Sequence, residues 1–467
     1  MKIQFIGATR EVTGSKHLIT TDQGKKILLD CGMFQGKGLE TDAMNRDTIV
    51  DPADVDHIIL THAHIDHSGL IPYFYKEGFR GSVICTHSTR DLCAIMLMDS
   101  AFIQENDTIW FNKKRAHQGL PPVQPIYTQK DVQHCMELFI TTSYNRKFYI
   151  DNNIRVKFNN TGHMLGSAVA TIEIEDFNYV KRIAYTGDVG RDNDYLLKNP
   201  NAFPQCDYLL TESTYGNRLH QTSEGAEEKL LQIVHHTCIE KRGKLIIPSF
   251  AIGRTQEVVY LLHKFRIAGK LPNIPIYVDS PLAVNATEIF RLYTDLLNDD
   301  VAQLMQKEND PFGFDRLHYI KSVNDSKKLN TTNEPCIIIS ASGMMEAGRI
   351  KHHLANNISN PRNSVLAVGY CAPETLGAKI LRGDSEVSIF GTKYEVKAAI
   401  YEIDTFSGHA DYEELTYYLL CQDPKKIRKT FLVHGEYEAQ KFLAKHLKNN
   451  RFENIEIPKH GDIFELD

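Results

Sequence analysis

Short apolar runs alternate along the chain with longer stretches of helical spacing, and the apolar runs end alike. Lys25-Lys26-Ile27-Leu28-Leu29 stops at Asp30, and Val55-Asp56-His57-Ile58-Ile59-Leu60 stops at Thr61-His62. Phe158-Asn159-Asn160-Thr161-Gly162 leads to His163, and Arg182-Ile183-Ala184-Tyr185-Thr186-Gly187 leads to Asp188. Tyr208-Leu209-Leu210-Thr211 leads to Glu212, and Lys429-Thr430-Phe431-Leu432-Val433 leads to His434. Runs of this length and type predict buried strands. Strands that repeatedly deliver a polar residue at one end describe a sheet with its chemistry along one rim. The stretches 89–112 and 223–241 predict helices, the second with Glu224, Glu227 and Glu228 in its first turn, where the helix dipole favours them. Strands and helices alternate throughout, so the class is α/β.

Residues 213–395 carry a second series of runs. Lys244–Ser249, Ile274–Ser280, Cys336–Ser340 and Ser364–Tyr370 read as strands, each followed by a small-residue turn and three of them by a helical pattern. This predicts a second α/β domain with parallel strands. The polar-rim theme resumes at His409 and His434, so the second domain is an insertion. Segments 1–212 and 396–467 then form one domain, and 213–395 the inserted one.

At 467 residues the chain is long enough for two or three domains. A net charge of −6 excludes a globally basic protein, so a polyanionic substrate would need a locally positive groove. Nine cysteines without a CxxC pair, behind an N-terminus that lacks an export signal, predict reduced thiols and a cytoplasmic location. No stretch approaches the ~20 apolar residues of a membrane span.

The densest chemistry is Leu60-Thr61-His62-Ala63-His64-Ile65-Asp66-His67-Ser68-Gly69-Leu70. Imidazole and carboxylate are the donors of a hydrolytic zinc site. On an extended segment His62 and His64 point the same way, and Asp66 and His67 follow after a turn, where they can face a second ion. Paired metals of this kind share one nucleophile and stand about 3.5–4 Å apart. The plainer readings are a His-rich surface loop or a single structural zinc. Structural sites usually recruit cysteine, and none lies in this stretch. His163 and Asp188 each stand beside glycines that permit close backbone approach. A carboxylate, unlike a neutral imidazole, can bridge two cations.

The ordered set Asp30, His62-x-His64-x-Asp66-His67, His163 and Asp188 resembles the metallo-β-lactamase-fold hydrolases. Three further motifs resemble those of the β-CASP nucleases within that fold. They are Glu212 in Thr211-Glu212-Ser213-Thr214-Tyr215-Gly216, His409 in Phe406-Ser407-Gly408-His409-Ala410-Asp411, and His434 in Leu432-Val433-His434-Gly435-Glu436. The likeness is strongest to bacterial and archaeal relatives of the endonuclease subunit of eukaryotic pre-mRNA 3′-end cleavage. It implies a metallo-β-lactamase αββα sandwich with an inserted α/β β-CASP domain.

It further implies two zinc ions per chain. His62, His64 and His163 would bind one, Asp66, His67 and His434 the other, and Asp188 would bridge them. Asp30 would orient a ligand histidine from outside. Asp66, Glu212 and His409 are the catalytic side chains, with His409 as general acid held by Glu212. The implied reaction is hydrolysis of RNA phosphodiester bonds by a two-metal-activated hydroxide, endonucleolytic or 5′→3′ exonucleolytic.

A histidine at position 434 matches the RNA-acting branch, since DNA-acting members tend to carry an apolar residue there. Single-stranded RNA is therefore the expected partner. A DNA nuclease, a non-nuclease hydrolase and a dead scaffold of the same fold are the alternatives. No KH-like extension precedes the motifs and little chain follows them, so homodimerisation stays open. In the insert, Arg254 follows Ser249-Phe250-Ala251-Ile252-Gly253, and Arg349 follows Ser340-Ala341-Ser342-Gly343. With the resemblance, Arg254, Ser340, Ser342 and Arg349 are expected to contact phosphate. A third turn, 369–379, departs from the pattern at Pro373 and Ala378. Met96 and Met98 are expected in the core, and Trp110, the only tryptophan, in the core or in domain packing.

Overall fold

The computed structural model describes residues 1–36, 39–176, 179–220, 225–369, 371–372, 374–403 and 408–467. Ser223 and Glu224 of the acidic helix start, the turn residues Tyr370 and Pro373, and Phe406 and Ser407 beside His409 lie outside the described residues. Lys37 and Gly38 do too. The chain divides into two compact units. The first comprises Met1–Asp194, Asn199–Leu219 and Gly408–Asp467, the second Tyr195–Lys198 and His220–Ser407.

The first unit holds two seven-stranded sheets. One runs in the order Ile463–Glu465, Lys2–Phe5, His17–Thr20, Lys26–Leu29, His57–Ile59, Ser82–Thr86, Phe139–Thr142. The other runs Ile455–Glu456, Lys429–Leu432, Tyr208–Thr211, Tyr179–Tyr185, Ala168–Asp176, Ile154–Asn160, Lys147–Tyr149. Side chains alternate between the faces of a strand, so every second residue can point at the opposing sheet. Ile3, Phe5, Ile27, Leu29 and Ile59 from the first sheet meet Val156, Phe158, Ile172, Ile183 and Phe431 from the second, all fully buried. The intervening positions face outward. Val169, Ala184, Leu209 and Leu432 pack beneath Leu415 and Leu419 of helix Tyr412–Leu419 and Leu443 and Leu447 of helix Tyr437–Asn449. The result is the four-layered αββα arrangement.

The parallel strands Lys26–Leu29, His57–Ile59, Tyr208–Thr211 and Lys429–Leu432 are each followed at once by the loop that carries Asp30, His62, Glu212 or His434. Chemistry collects at such ends because the chain must leave the sheet there, on loops held by a rigid scaffold.

The second unit contains one six-stranded sheet, wholly parallel, ordered Leu317–Tyr319, Ile276–Val278, Cys336–Ser340, Lys244–Pro248, Ser364–Ala367, Ala399–Glu402. All four strands expected from sequence are present, and all four, rather than three, lead into helices: Arg254–Ile267, Pro281–Leu292, Arg349–Asn357 and Leu376–Leu381. The edge strands Leu317–Tyr319 and Ala399–Glu402 carry too few buried apolar residues to show in the sequence pattern.

Among the described residues no helix is long and apolar enough to cross a membrane. Met96 and Met98 are only half-buried, and Trp110 is 68% exposed rather than in the core.

Candidate metal centre

Asp30 organises the approach to the site. Its backbone is left-handed (φ 56°), and its carboxylate accepts from the Thr61 N–H at 2.7 Å and the Thr61 hydroxyl at 2.8 Å. Its Oδ2 also lies 2.6 Å from His67 Nδ1. Both residues are fully buried, so His67 gives its Nδ1 proton to Asp30 and turns the Nε2 lone pair inward. Thr61 also lies 3.1 Å from His62 Nδ1. A single threonine thereby links the carboxylate to the first ligand-type histidine.

His163 is oriented in the same way by a backbone group. Its Nδ1 donates to the Gly408 carbonyl at 2.7 Å, which leaves Nε2 free to coordinate. His434 also has a left-handed backbone (φ 50°), and its Nδ1 meets the Thr214 hydroxyl at 3.0 Å. Asp and His enter this sparsely populated region more readily than most side chains.

Two donor groups result. His62, His64, His163 and Asp188 place one ligand atom each within 4.8 Å of one another, and Asp66, His67 and His434 do the same. In the first group His62 Nε2 and His64 Nδ1 are 3.2 Å apart, and His163 Nε2 and His64 Nδ1 are 3.1 Å apart. Asp188 Oδ2 stands 3.5 Å from the Nε2 of His62 and of His163. A tetrahedral zinc with ordinary bond lengths would set such edges at about 3.3 Å.

Asp188 Oδ1 turns to the second group, 3.3 Å from His67 Nε2 and 3.6 Å from His434 Nδ1. His434 Nε2 lies 3.5 Å from Asp66 Oδ2. Buried polar atoms without hydrogen-bond partners are rare. Here His67 Nε2, Asp188 Oδ1 and His434 Nε2 are three such atoms in one place. A cation among them would satisfy all three, so the donor set fits a metal.

The electrostatics mark a site that attracts positive charge: burial lowers the His67 pKa, but Asp188 and Asp30 outweigh it and hold the ring well above its ordinary value. Burial drags His64 down to about 3 and, with its neighbouring imidazoles, holds His163 well below its ordinary value, so both imidazoles are neutral and able to coordinate. Burial works against the Asp188 carboxylate, but His434, His67 and His62 outweigh it and keep Asp188 ionised. Asp66 is likewise held low, against burial, by its bond to His434.

Glu212 and His409 form a separate pair beside Asp188. Glu212 is fully buried; its Oε1 accepts from the Val189 N–H at 2.6 Å, and both its oxygens lie 3.2 Å from His409 Nδ1. His409 is one-fifth exposed and rests on the His163 ring at 4.6 Å between centroids. Burial pulls its pKa down, yet Glu212 outweighs burial and pushes it up to about 9.

Two glycines make the close packing possible. A Cβ on Gly32 would fall 1.6 Å from the Asp66 carbonyl oxygen, and one on Gly190 would fall 2.1 Å from the Gly162 oxygen, beside His163. Gly32→Ala must therefore displace the Asp66–His67 backbone and should cost roughly 3 kcal/mol or more. Urea unfolding with and without added zinc measures it, and a wild-type midpoint would contradict the geometry.

All seven expected ligand residues, with Asp30, Glu212 and His409, thus converge within the first unit. The four expected phosphate contacts belong to the second unit and have internal partners. Arg254 is buried and paired with Glu257. Arg349 Nη1 bonds the fully buried Asp279 carboxylate at 2.6 Å, and Ser340 Oγ donates to the Asp279 carbonyl at 2.8 Å. The Ser342 hydroxyl accepts from the Glu346 N–H at 3.2 Å. Sequence reasoning missed Thr61, Thr214 and the Gly408 carbonyl. The two threonines are adjacent to ligand motifs, which is the only signal they give.

Comparison with known proteins places these features. Residues 12–134 match the metallo-β-lactamase superfamily, 255–380 the Beta-Casp domain, and 393–458 the Zn-dependent metallo-hydrolase RNA specificity domain. The chain is 33% identical over 464 residues to Ribonuclease TTHA0252 of Thermus thermophilus, covering 99% of each. It is 33% identical over 468 residues to the RNase J-like protein of Methanocaldococcus jannaschii, again 99% of each. Transcription termination factor FttA of the same archaeon is 32% identical over 449 residues, 93% of this chain and 67% of that protein. A crystal structure of a protein of unknown function from Enterococcus faecalis shares the fold at a TM-score of 0.53 and 12% identity, covering 100% of this chain and 99% of the other. The chain belongs to the β-CASP family of metallo-β-lactamase-fold hydrolases.

Proposed function

We propose that this protein hydrolyses phosphodiester bonds of single-stranded RNA at a centre of two zinc ions. The three buried atoms His67 Nε2, Asp188 Oδ1 and His434 Nε2, none of which has a hydrogen-bond partner, carry the reading, because one cation among them would satisfy all three. The relatives named as a ribonuclease and as RNase J-like, and the match to an RNA specificity domain, support RNA as the substrate.

His62, His64 and His163 would hold one ion, Asp66, His67 and His434 the other, with Asp188 shared. When bound, the ions supply Lewis-acid charge that polarises the scissile phosphate and makes water acidic near neutral pH. The protein supplies the rest. Asp30 and the Gly408 carbonyl fix which nitrogen of His67 and His163 carries the proton. His409 gives Nδ1–H to Glu212, so its other nitrogen carries the proton available to the leaving oxygen, a role worth about 10²–10⁴ in rate. Contact of Arg254, Ser340, Ser342 or Arg349 with phosphate would require each to share its internal partner; organising the turns they stand on is the better supported role. Nine free thiols support a reducing compartment, the cytoplasm.

Asp30→Ala removes the acceptor that orients His67 and should weaken metal affinity about 10–100-fold. Competition with a chromogenic chelator reads this directly. The function itself is tested by incubating matched single-stranded RNA and DNA with the metallated protein, with and without chelator. The RNA would carry a 5′-monophosphate, triphosphate or hydroxyl. Chelator-sensitive cleavage of RNA is expected, and its dependence on the 5′ group separates exonucleolytic from endonucleolytic action. Intact RNA, or DNA cut equally well, would refute the assignment.

A further inference from the structure

Helix His87–His117 spans 31 residues, and its first half is packed through Leu92, Cys93, Leu97 and Ala101. In the second half only one side is occupied. There Tyr127 donates to Ser100, Glu105 accepts from Gln129, and Asn112 exchanges two hydrogen bonds with Val123. The opposite side carries Phe102, Ile103, Ile109 and Trp110, which are 54%, 44%, 57% and 68% exposed. With Asp99, Asn106 and Lys113 they form one stripe of an α-helix. Single exposed apolar residues need no explanation, but four large ones in a row mark a contact surface.

The stripe is complementary to itself. Counting outward from Asn106, Ile103 pairs with Ile109, Phe102 with Trp110, and Asp99 with Lys113, each at equal distance along the sequence. Two copies laid antiparallel with their Asn106 residues opposed would set isoleucine on isoleucine, phenylalanine on tryptophan and carboxylate on ammonium. A parallel pair would instead stack Lys113 on Lys113. Asp99 is half-buried, makes no ion pair among the described residues, and burial pushes its carboxyl up. A facing lysine would relieve it.

We propose that a second copy of this chain docks antiparallel on this stripe, burying Phe102, Ile103, Ile109 and Trp110 about a two-fold axis at Asn106. A single strand of nucleic acid is the rival occupant, because Trp110 beside Lys113 offers a stacking face and a charge. Asp99 and Asp107 oppose a polyanion there, and the two isoleucines offer no stacking face.

Trp110 is the only tryptophan, so its emission reports the contact. Sedimentation velocity from about 1 to about 100 µM should show a monomer–dimer equilibrium, with the emission shifting to shorter wavelength in step. Ile109→Lys, at an exposed position, should weaken association about 30-fold or more. Lys113→Asp should weaken it as well, and Asp99→Lys combined with Lys113→Asp should restore it. A monomer at every concentration, or a dimer indifferent to Ile109→Lys, overturns the proposal. So does a double variant that fails to recover. A monomer whose RNA affinity falls with Trp110→Ala would assign the stripe to RNA and overturn it too.

Discussion

Asp188→Asn should lower RNA hydrolysis by about 10⁴-fold or more, as when one member of a concerted catalytic group is removed. The substitution keeps the shape of the side chain and removes only its charge. That charge faces four imidazoles: Oδ2 lies 3.5 Å from His62 and His163, and Oδ1 lies 3.3 Å from His67 and 3.6 Å from His434. Among the described residues it is the one side chain whose two oxygens turn to different donor groups. An amide in its place keeps one coordinating oxygen but turns an N–H₂, which has no lone pair to offer a cation, towards one of the two donor groups. The variant should also lose metal, read by elemental analysis after dialysis. Saturating zinc should raise the unfolding free energy of the wild type by about 3 kcal/mol at a hundredfold excess over Kd and leave the variant nearly unchanged. Full metal content in an active Asp188→Asn protein would end the shared-ligand reading.

The site was legible because Asp30, His62, His163, Asp188, Glu212 and His434 each stand just past the end of a strand. Strand ends announce themselves as apolar runs, and the parallel pairing of Lys26–Leu29 with His57–Ile59, and of Tyr208–Thr211 with Lys429–Leu432, forces their exits onto one edge. What stayed hidden is of two kinds. The Gly408 carbonyl that orients His163 comes from a residue 245 positions away and from a backbone atom, which no residue type signals. Arg349 illustrates the other kind. An arginine after a small-residue turn reads the same whether its acceptor is a phosphate or a carboxylate of its own domain. Here Asp279, 70 residues earlier, is fully buried and draws Arg349, His353 and Ser326 to itself. Leaving that carboxylate unpaired would cost several kcal/mol, so Arg349 has a structural task whatever else it meets. Trp110 misled for a related reason: its size predicts burial, but nothing in one chain's sequence says whether its own core does the burying.

His409→Ala should slow RNA hydrolysis about 10²–10⁴-fold while leaving metal content unchanged. The separation follows from where the ring stands. Its Nδ1 points at both Glu212 oxygens, 3.2 Å away, and its closest approach to Asp188 is 3.9 Å, so it belongs to neither donor group. Its protonation carries the test further. Burial lowers the His409 pKa, and Glu212, followed by Asp188 and Asp66, raises it to about 9. Bound cations would pull that value down, so the informative quantity is the difference between two proteins rather than the absolute position of a limb. An acid that must be protonated gives activity that falls as pH rises through its pKa. Glu212→Gln removes the largest raising contribution and leaves burial in force, so the alkaline limb should move to lower pH and activity near neutrality should fall with it. The same substitution spares the seven ligand side chains, so zinc content should hold. If Glu212→Gln left the pH profile in place, or if His409→Ala shed zinc, His409 would be a ligand or a spectator rather than the acid.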